Sequence, residues 1–311
     1  MPESVAIILP CYNEEAVILR FLGLLESKIG QLGVRFQLVV VNDSSNDQTL
    51  DLLKTWQPQS KNIGITILDL FFNQGHQGAI YQGLVYAESL NADHLIVMDS
   101  DGEDDPEAIG ELLKYRHFDV VKVYRGKRNE NLRFRIGYQL YKSVFRLITR
   151  AEMNYGNFVM ISPRILKSAV HFSFIHFAAF LTKQRCTQTG FVWDKSERLG
   201  GESKMNLPSL IDHGIKSFIE LSKELLFFIF RLFIFFTAVL LIGIFIVLKK
   251  KYISGEAIIG WTSTLLMLIF IAGLICLGVF IIGNLLVNIL EKYKQSNRVV
   301  LYRVVKEVFP A

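Results

Sequence analysis

Cysteine is scarce. The chain has three, Cys11, Cys186 and Cys276, scattered and odd in number. Such usage argues against a disulfide framework or a zinc site and for reduced thiols in a cytosolic setting. The N-terminus, Met1-Pro2-Glu3-Ser4, has no basic segment followed by a long apolar run, so no signal peptide is expected. No zinc-finger, helix-turn-helix or RNA-recognition signature accompanies the sequence pI near 9.0. Gly-x-Gly-x-x-Gly is missing after the first strand, which ends in Pro10-Cys11-Tyr12, and this removes a dinucleotide-binding dehydrogenase. Charge is absent from two long stretches, 232–248 and 257–287. The first is just long enough to cross a bilayer and the second long enough to cross with tilt. Basic residues beside such segments suit anionic lipid headgroups better than nucleic acid.

What precedes the apolar tail alternates between strand and helix. Val5-Ala6-Ile7-Ile8-Leu9, Phe36-Gln37-Leu38-Val39-Val40-Val41, Ile65-Thr66-Ile67-Leu68, Leu95-Ile96-Val97-Met98 and Asp119-Val120-Val121-Lys122-Val123 read as buried strands, with apolar residues at helical spacing between them. A further strand-like run is Gly156 to Ile161. The pattern predicts an α/β fold, a mostly parallel sheet with helices on both faces. Right-handed crossovers then bring the strand-end turns to one edge, so Tyr12, Asp43, Gly75, Asp99 and Asp101 should line one crevice. In Asp99-Ser100-Asp101, two carboxylates follow a buried strand, and Asp105-Pro106 can open a helix after them. Taken alone the pair reads first as a solubilising acidic loop; as a site, its hard oxygens suit Mg²⁺ or Mn²⁺. Arg125, Lys127, Arg128, Arg133 and Arg135 form a basic run that is either a solvated helix or a phosphate clamp.

The sequence divides into a cytoplasmic α/β domain (1–207), an amphipathic membrane-surface helix (208–231), two transmembrane helices (232–288) and a cytoplasmic tail (289–311). Lys249-Lys250-Lys251 sits between the two apolar runs. Lys216, Lys223 and Arg231 on one flank and Lys292, Lys294, Arg298, Arg303 and Lys306 on the other outnumber it, which favours both termini in the cytoplasm.

Five motifs occur in a fixed order: Pro10-Cys11-Tyr12-Asn13-Glu14-Glu15, Asn42-Asp43-Ser44-Ser45-Asn46-Asp47-Gln48-Thr49, Asn73-Gln74-Gly75, Asp99-Ser100-Asp101 and Gly201-Glu202-Ser203-Lys204. As a set they resemble the family 2 glycosyltransferases of the GT-A fold, and within them the polyprenyl-phosphate branch that includes dolichol-phosphate mannosyltransferase and GtrB-like enzymes. The tail, with Glu291-Lys292-Tyr293 and Arg298-Val299-Val300-Leu301-Tyr302 after two spans, resembles the same branch. The resemblance implies a membrane-anchored, metal-dependent, inverting transferase that moves one sugar from a UDP- or GDP-linked donor to an undecaprenyl or dolichyl phosphate, working as a homo-oligomer. It implies that Pro10, Tyr12, Glu14, Asp43 and Gly75 hold the nucleotide. Asp99, Asp101 and Glu103 would bind the diphosphate through Mg²⁺ or Mn²⁺. Arg125, Arg128, Arg133 and Arg135 would face the acceptor phosphate, Arg125 and Arg128 also serving the reaction, while Arg198, Ser203 and Lys204 close over the donor. The chain departs from the branch at Asn157, where Asp is common, at Ser44, where Gly is usual, and at Val299, where Pro is usual. Gln-x-x-Arg-Trp, expected of processive synthases, is absent. The alternatives are a catalytically silent relative that binds nucleotide sugar or scaffolds a glycan complex, and a transferase with a different lipid or glycan acceptor.

Overall fold

A computed structural model describes residues 3–126, 143, 145–148, 155–194, 196, 199–200, 207–253, 261–296 and 299–311. The chain forms two compact units: Met1–Gly137, Glu152–Glu220 and Lys294–Ala311 make one, Tyr138–Ala151 and Leu221–Tyr293 the other.

The first unit is built on one eight-stranded sheet. In chain order its strands are β1 (Ser4–Cys11), β2 (Arg35–Asn42), β3 (Ile63–Leu70), β4 (His94–Val97), β5 (Val120–Arg125), β6 (Tyr155–Ile161), β7 (Gln188–Trp193) and β8 (Tyr302–Val308). Their spatial order is β7-β5-β6-β4-β1-β2-β3-β8. The pairs β4–β1, β1–β2, β2–β3 and β5–β7 are parallel; β6 runs antiparallel between β4 and β5, and β8 runs antiparallel along β3. β3 is buried along all of its length, as a covered parallel strand must be.

Helices α1 (Ile18–Ile29), α2 (Thr49–Thr55), α3 (Gly75–Ala87), α4 (Ala108–Leu112), α5 (Pro163–Phe172) and α6 (Phe177–Lys183) cover the sheet. One core joins Ile7, Leu9, Leu38 and Val40 to Ile18, Phe21, Leu22 and Leu25 of α1 and Ile109 of α4. The other joins Ala6, Ile8, Val39 and Val41 to Ile80 and Leu84 of α3 and Ile165, Phe177 and Leu181 of α5 and α6. Successive residues of β1 thus feed opposite cores, the period-two signature of a strand buried on both faces. Gly83 lets α3 lie close on the sheet: a Cβ there would sit 2.5 Å from Ile8 Cγ2 and 3.0 Å from Val41 Cγ2.

Asp119, at the entry to β5, bolts three segments together. It accepts from Ser162 Oγ at 3.0 Å before α5 and from the Thr187 amide and hydroxyl, each at 3.1 Å, before β7. Burial works to raise its carboxyl pKa, but those bonds, with Arg164 nearby, hold it below the ordinary 3.8. A carboxyl more acidic in the folded than the unfolded chain contributes stability above its unfolded pKa and loses it as pH falls through the folded value. The melting temperature of the wild-type protein is therefore expected to fall more steeply below about pH 4 than that of Asp119→Asn. Parallel curves for the two proteins would remove this contribution.

The C-terminal tail is not a free extension. The segment read as part of a tail contains β8, which completes the sheet. Arg303 donates from Nε at 3.0 Å and Nη2 at 2.8 Å to Asp69 Oδ2, Gln37 Nε2 donates to the Val308 carbonyl at 3.2 Å, and the Ala311 amide donates to the Lys61 carbonyl at 2.8 Å.

Helix α7 (Leu207–Glu220) ends this part of the first unit, and α8 (Ser222–Tyr252) follows it. The apolar periodicity runs unbroken from 208 to 231, yet the helix is interrupted at Leu221, buried with φ −99° and ψ 32°. Helix α9 (Trp261–Ser296) is the other long helix of the second unit. Ser222–Lys250 and Ser263–Leu290 are long and apolar enough to cross a membrane. Helices α5 and α6 are apolar as a bent pair, at 112°, but they lie between β6 and β7 of one sheet and bury their apolar residues in its core.

Candidate active site

The carboxyl ends of β1, β2, β3 and β4 carry four of the motifs, and the structure ties them into one edge. After β1, the Asn13 amide donates to Ser45 Oγ at 2.9 Å, the Asn46 amide donates back to Asn13 Oδ1 at 2.8 Å, and Asn46 Nδ2 reaches Tyr12 Oη at 3.4 Å. The Glu14 amide is capped by Thr49 Oγ1 at 2.8 Å. Asn13 (φ 52°) and Ser44 (φ 56°) both adopt the left-handed region that favours glycine. Ser44 therefore keeps the backbone shape that a glycine would take more cheaply.

Asp43 is buried, 3% exposed, and accepts the Gln74 amide on Oδ1 at 2.7 Å, while Asn73 Nδ2 donates to its carbonyl at 3.1 Å. Burial raises the Asp43 carboxyl pKa above its ordinary value, opposed by the Gln74 and Gly75 amides and by His76. Gly75 (φ 74°) opens α3. The second motif is thus locked to the third.

Past β4, the Ser100 hydroxyl donates to the Pro10 carbonyl at 2.8 Å, pinning the acidic turn to the end of β1. The Asp99 amide donates to Asp104 Oδ2 at 3.0 Å, and the Glu103 amide donates to Asp101 Oδ1 at 2.9 Å across Gly102 (φ 83°). The segment after β7 returns to this turn: the Ser196 amide donates to the Glu103 carbonyl at 3.2 Å and the Leu199 amide to the Asp101 carbonyl at 3.4 Å, while Arg20 Nη1 of α1 donates to the Leu199 carbonyl at 2.9 Å. Glu103, with Asp104, Asp105, Val123, Gly156, Phe158, Trp193 and Asp194, also lines a shallow surface cleft.

Two groups absent from the expected site stand inside it. His76 Nε2 lies 3.2 Å from Asp99 Oδ1 and 2.8 Å from Asn157 Nδ2, and Gln77 Nε2 approaches Asn157 Oδ1 at 3.4 Å. Desolvation lowers the His76 pKa, but Asp99 foremost, then Asp104 and Asp101, raise it overall. His76 is one residue past Gly75, so the motif pointed at it; only the folded chain sets it against Asp99 and Asn157.

Of the expected residues, Pro10, Tyr12, Glu14, Asp43, Gly75, Asp99, Asp101 and Glu103 fall on this edge or its turns. Arg125 closes β5, where its backbone pairs with Trp193. Arg128, Arg133, Arg135, Arg198, Ser203 and Lys204 lie outside the described residues. Among the described residues, no group of three or more His, Cys, Asp and Glu side chains is arranged to hold a metal ion. The donor set still fits a hard cation: Mg²⁺ is ordinarily held by one or two carboxylates completed by substrate phosphates and water, with no all-protein cage.

The family model for glycosyl transferase family 2 matches residues 6–181. The chain is 27% identical over 304 residues to the uncharacterized glycosyltransferase YkcC of Bacillus subtilis (strain 168), covering 93% of this chain and 90% of that one. It is 28% identical over 216 residues to undecaprenyl-phosphate 4-deoxy-4-formamido-L-arabinose transferase of Pseudomonas syringae pv. syringae (strain B728a), covering 67% and 62%. Glucosyl-3-phosphoglycerate synthase from Mycobacterium tuberculosis, solved with Mn²⁺, UDP-glucose and phosphoglyceric acid, shares the fold with a TM-score of 0.52 at 14% identity, covering 72% of this chain and 80% of that one. The family match spans more than half of the sequence and takes in the four motifs gathered at the sheet edge; the chain belongs to glycosyl transferase family 2.

Proposed function

We propose that this protein transfers one sugar from a nucleotide-diphosphate sugar to a polyprenyl phosphate at the cytoplasmic face of a membrane, with inversion at the anomeric carbon. One observation carries the reading: the Asp99-Ser100-Asp101 turn shares an edge with Asp43 and His76, in a chain that also has two helices able to cross a bilayer. The Pseudomonas relative, named for transfer to undecaprenyl phosphate, supports the acceptor class. The Mycobacterium synthase, solved with Mn²⁺ and UDP-glucose, supports the donor class and a divalent ion.

Asp99 and Asp101, with Glu103 nearby, would hold Mg²⁺ or Mn²⁺. Bound there, the cation would offset the negative charge growing on the departing diphosphate. Buried Asp43, with Tyr12 and Glu14 on the neighbouring turn, would bind the nucleoside. A phosphate monoester is already largely ionised at neutral pH, so its oxygen attacks without surrendering a proton to the protein. Arg125, Arg128, Arg133 and Arg135 would align it, and alignment alone lowers barriers by up to ~7–11 kcal/mol in favourable cases. Asn157 fits this chemistry because its amide has no basic role to play.

Asn157→Asp is accordingly expected to leave transfer to a phosphate acceptor within a few-fold. Steady-state rates of the two proteins check this, and a large gain would show that a base is wanted at that position.

β8 follows the helix pair and β1–β7 precede it in one sheet. This supports two crossings with the catalytic unit and both termini on one side, and the lysine and arginine distribution favours the cytoplasm. Purified full-length protein, Mg²⁺ or Mn²⁺, a panel of UDP- and GDP-sugars and undecaprenyl or dolichyl phosphate test the function. Release of nucleoside diphosphate coupled to a lipid-linked sugar is expected. Nucleotide binding without transfer from any donor would support the silent relative in its place.

A further inference from the structure

The first unit exposes a compact apolar surface beside its catalytic edge that neither core uses. Phe71 and Phe72 follow β3 and are 62% and 54% exposed; Val299 and Val300 precede β8 and are 50% and 49% exposed. The two segments that carry them lie side by side. The antiparallel register sets Leu70 against Tyr302, and one step further the Phe71 amide donates to the Leu301 carbonyl at 3.1 Å. Gln82 of α3 clamps the other side, donating to the Val299 carbonyl at 3.2 Å and accepting the Leu301 amide at 3.2 Å. Asn73 and Gln74, the partners of Asp43, come directly after Phe72.

Chain length limits where this surface can lie. The second apolar segment ends at Leu290 and its helix at Ser296. Six helical steps at 1.5 Å, with the chain's maximal reach over the next three residues, keep Val299 within about 20 Å of the end of the apolar segment. The link between them carries Lys292, Lys294 and Arg298, the charge that anionic headgroups attract. Two exposed phenylalanines and two valines next to a basic link have the composition of an interfacial contact.

We propose that Phe71, Phe72, Val299 and Val300 form a membrane-contact wedge that enters the boundary between headgroups and acyl chains and holds the catalytic edge at the lipid surface. The occupant is the bilayer itself. The proposal rests on the membrane-spanning reading above and is independent of which sugar or acceptor is used. It differs from the amphipathic helix expected from the sequence, because its two halves are more than two hundred residues apart and meet only through the β3–β8 pairing.

The test uses the full chain in phosphatidylglycerol–phosphatidylcholine vesicles. A Phe72→Trp variant is compared with Lys61→Trp, in the turn before the opposite end of β3, a strand roughly 23 Å long. The readout is the emission each variant adds to the parent protein, with and without lipids brominated near the headgroup end of the acyl chain. Loss of most of the added emission for Phe72→Trp, with little loss for Lys61→Trp, is the expected result. Equal quenching at both sites, or none at residue 72, overturns the wedge. Disulfide cross-linking between copies through Phe72→Cys, without lipid quenching of Phe72→Trp, overturns it in favour of a second copy. Carbonate extraction of the parent protein separates the two readings. A chain that washes off the vesicles refutes the membrane-spanning reading, whereas a chain that stays while residue 72 is unquenched refutes the wedge alone.

Discussion

Asp101→Asn is expected to lower sugar transfer by at least about a hundredfold, the loss commonly seen when one electrostatic partner of a transition state is removed. The substitution is nearly isosteric, and it keeps the oxygen that accepts the Glu103 amide at 2.9 Å. The turn can therefore keep its shape while the charge is lost. Asp101 also lies beyond β4 and contributes nothing to either core, so the melting temperature should stay close to that of the parent. Initial rates across a titration of Mn²⁺, beside a thermal melt, read both effects. A variant that reaches parental turnover at saturating Mn²⁺ would show that Asp101 only tunes metal affinity; parental turnover at every Mn²⁺ concentration would remove it from the site.

Arg303→Ala is expected to cost about 1–3 kcal/mol of stability, with Arg303→Lys recovering part of it. Asp69 is 7% exposed and sits on β3 in the interior of the sheet. Its Oδ1 accepts from Asn42 Nδ2 at 2.7 Å, and Oδ2 takes both Arg303 donors. Removing the guanidinium leaves a buried carboxylate with one partner fewer. The Arg303 side chain is 66% exposed, so water screens the pair and the cost stays at the lower end for a half-buried contact. The same contact fastens β8 to the sheet, and Asn42 adjoins Asp43 of the site. Thermal or denaturant unfolding gives the stability, and nucleotide affinity of the folded variant tells whether loosening β8 reaches the turn at Asp43. Unchanged unfolding would show that β8 is held by its backbone ladder alone.

Much of the fold was legible in the sequence because buried parallel strands leave short, nearly continuous apolar runs bounded by turn residues. Val5–Leu9, Phe36–Val41 and Leu95–Val97 are apolar at every position or nearly so, and each is a strand of the sheet. β7 escaped because Gln188–Trp193 is mixed in character and only partly buried. β8 escaped for the same reason: as an edge strand it mixes Arg303, Lys306 and Glu307 with valines, and in sequence it resembles a tail. The interruption at Leu221 is invisible to periodicity, since a helix that stops and restarts after one residue keeps nearly the same apolar spacing.

The sequence by itself determined which residues could do chemistry: the acids at 99 and 101, the capping turn at 42–49, the glycine at 75 and the two uncharged runs, because ionisable, capping and apolar character belong to side chains. The ordered motifs, through the crossover rule, also determined that these turns share an edge. The tertiary structure alone decided which groups touch. His76 against Asp99, Asn157 against His76 and Arg303 against Asp69 are separated by 23, 81 and 234 residues, and no local periodicity encodes distances of that kind. They follow from the register of the sheet, which is fixed by packing both of its faces at once.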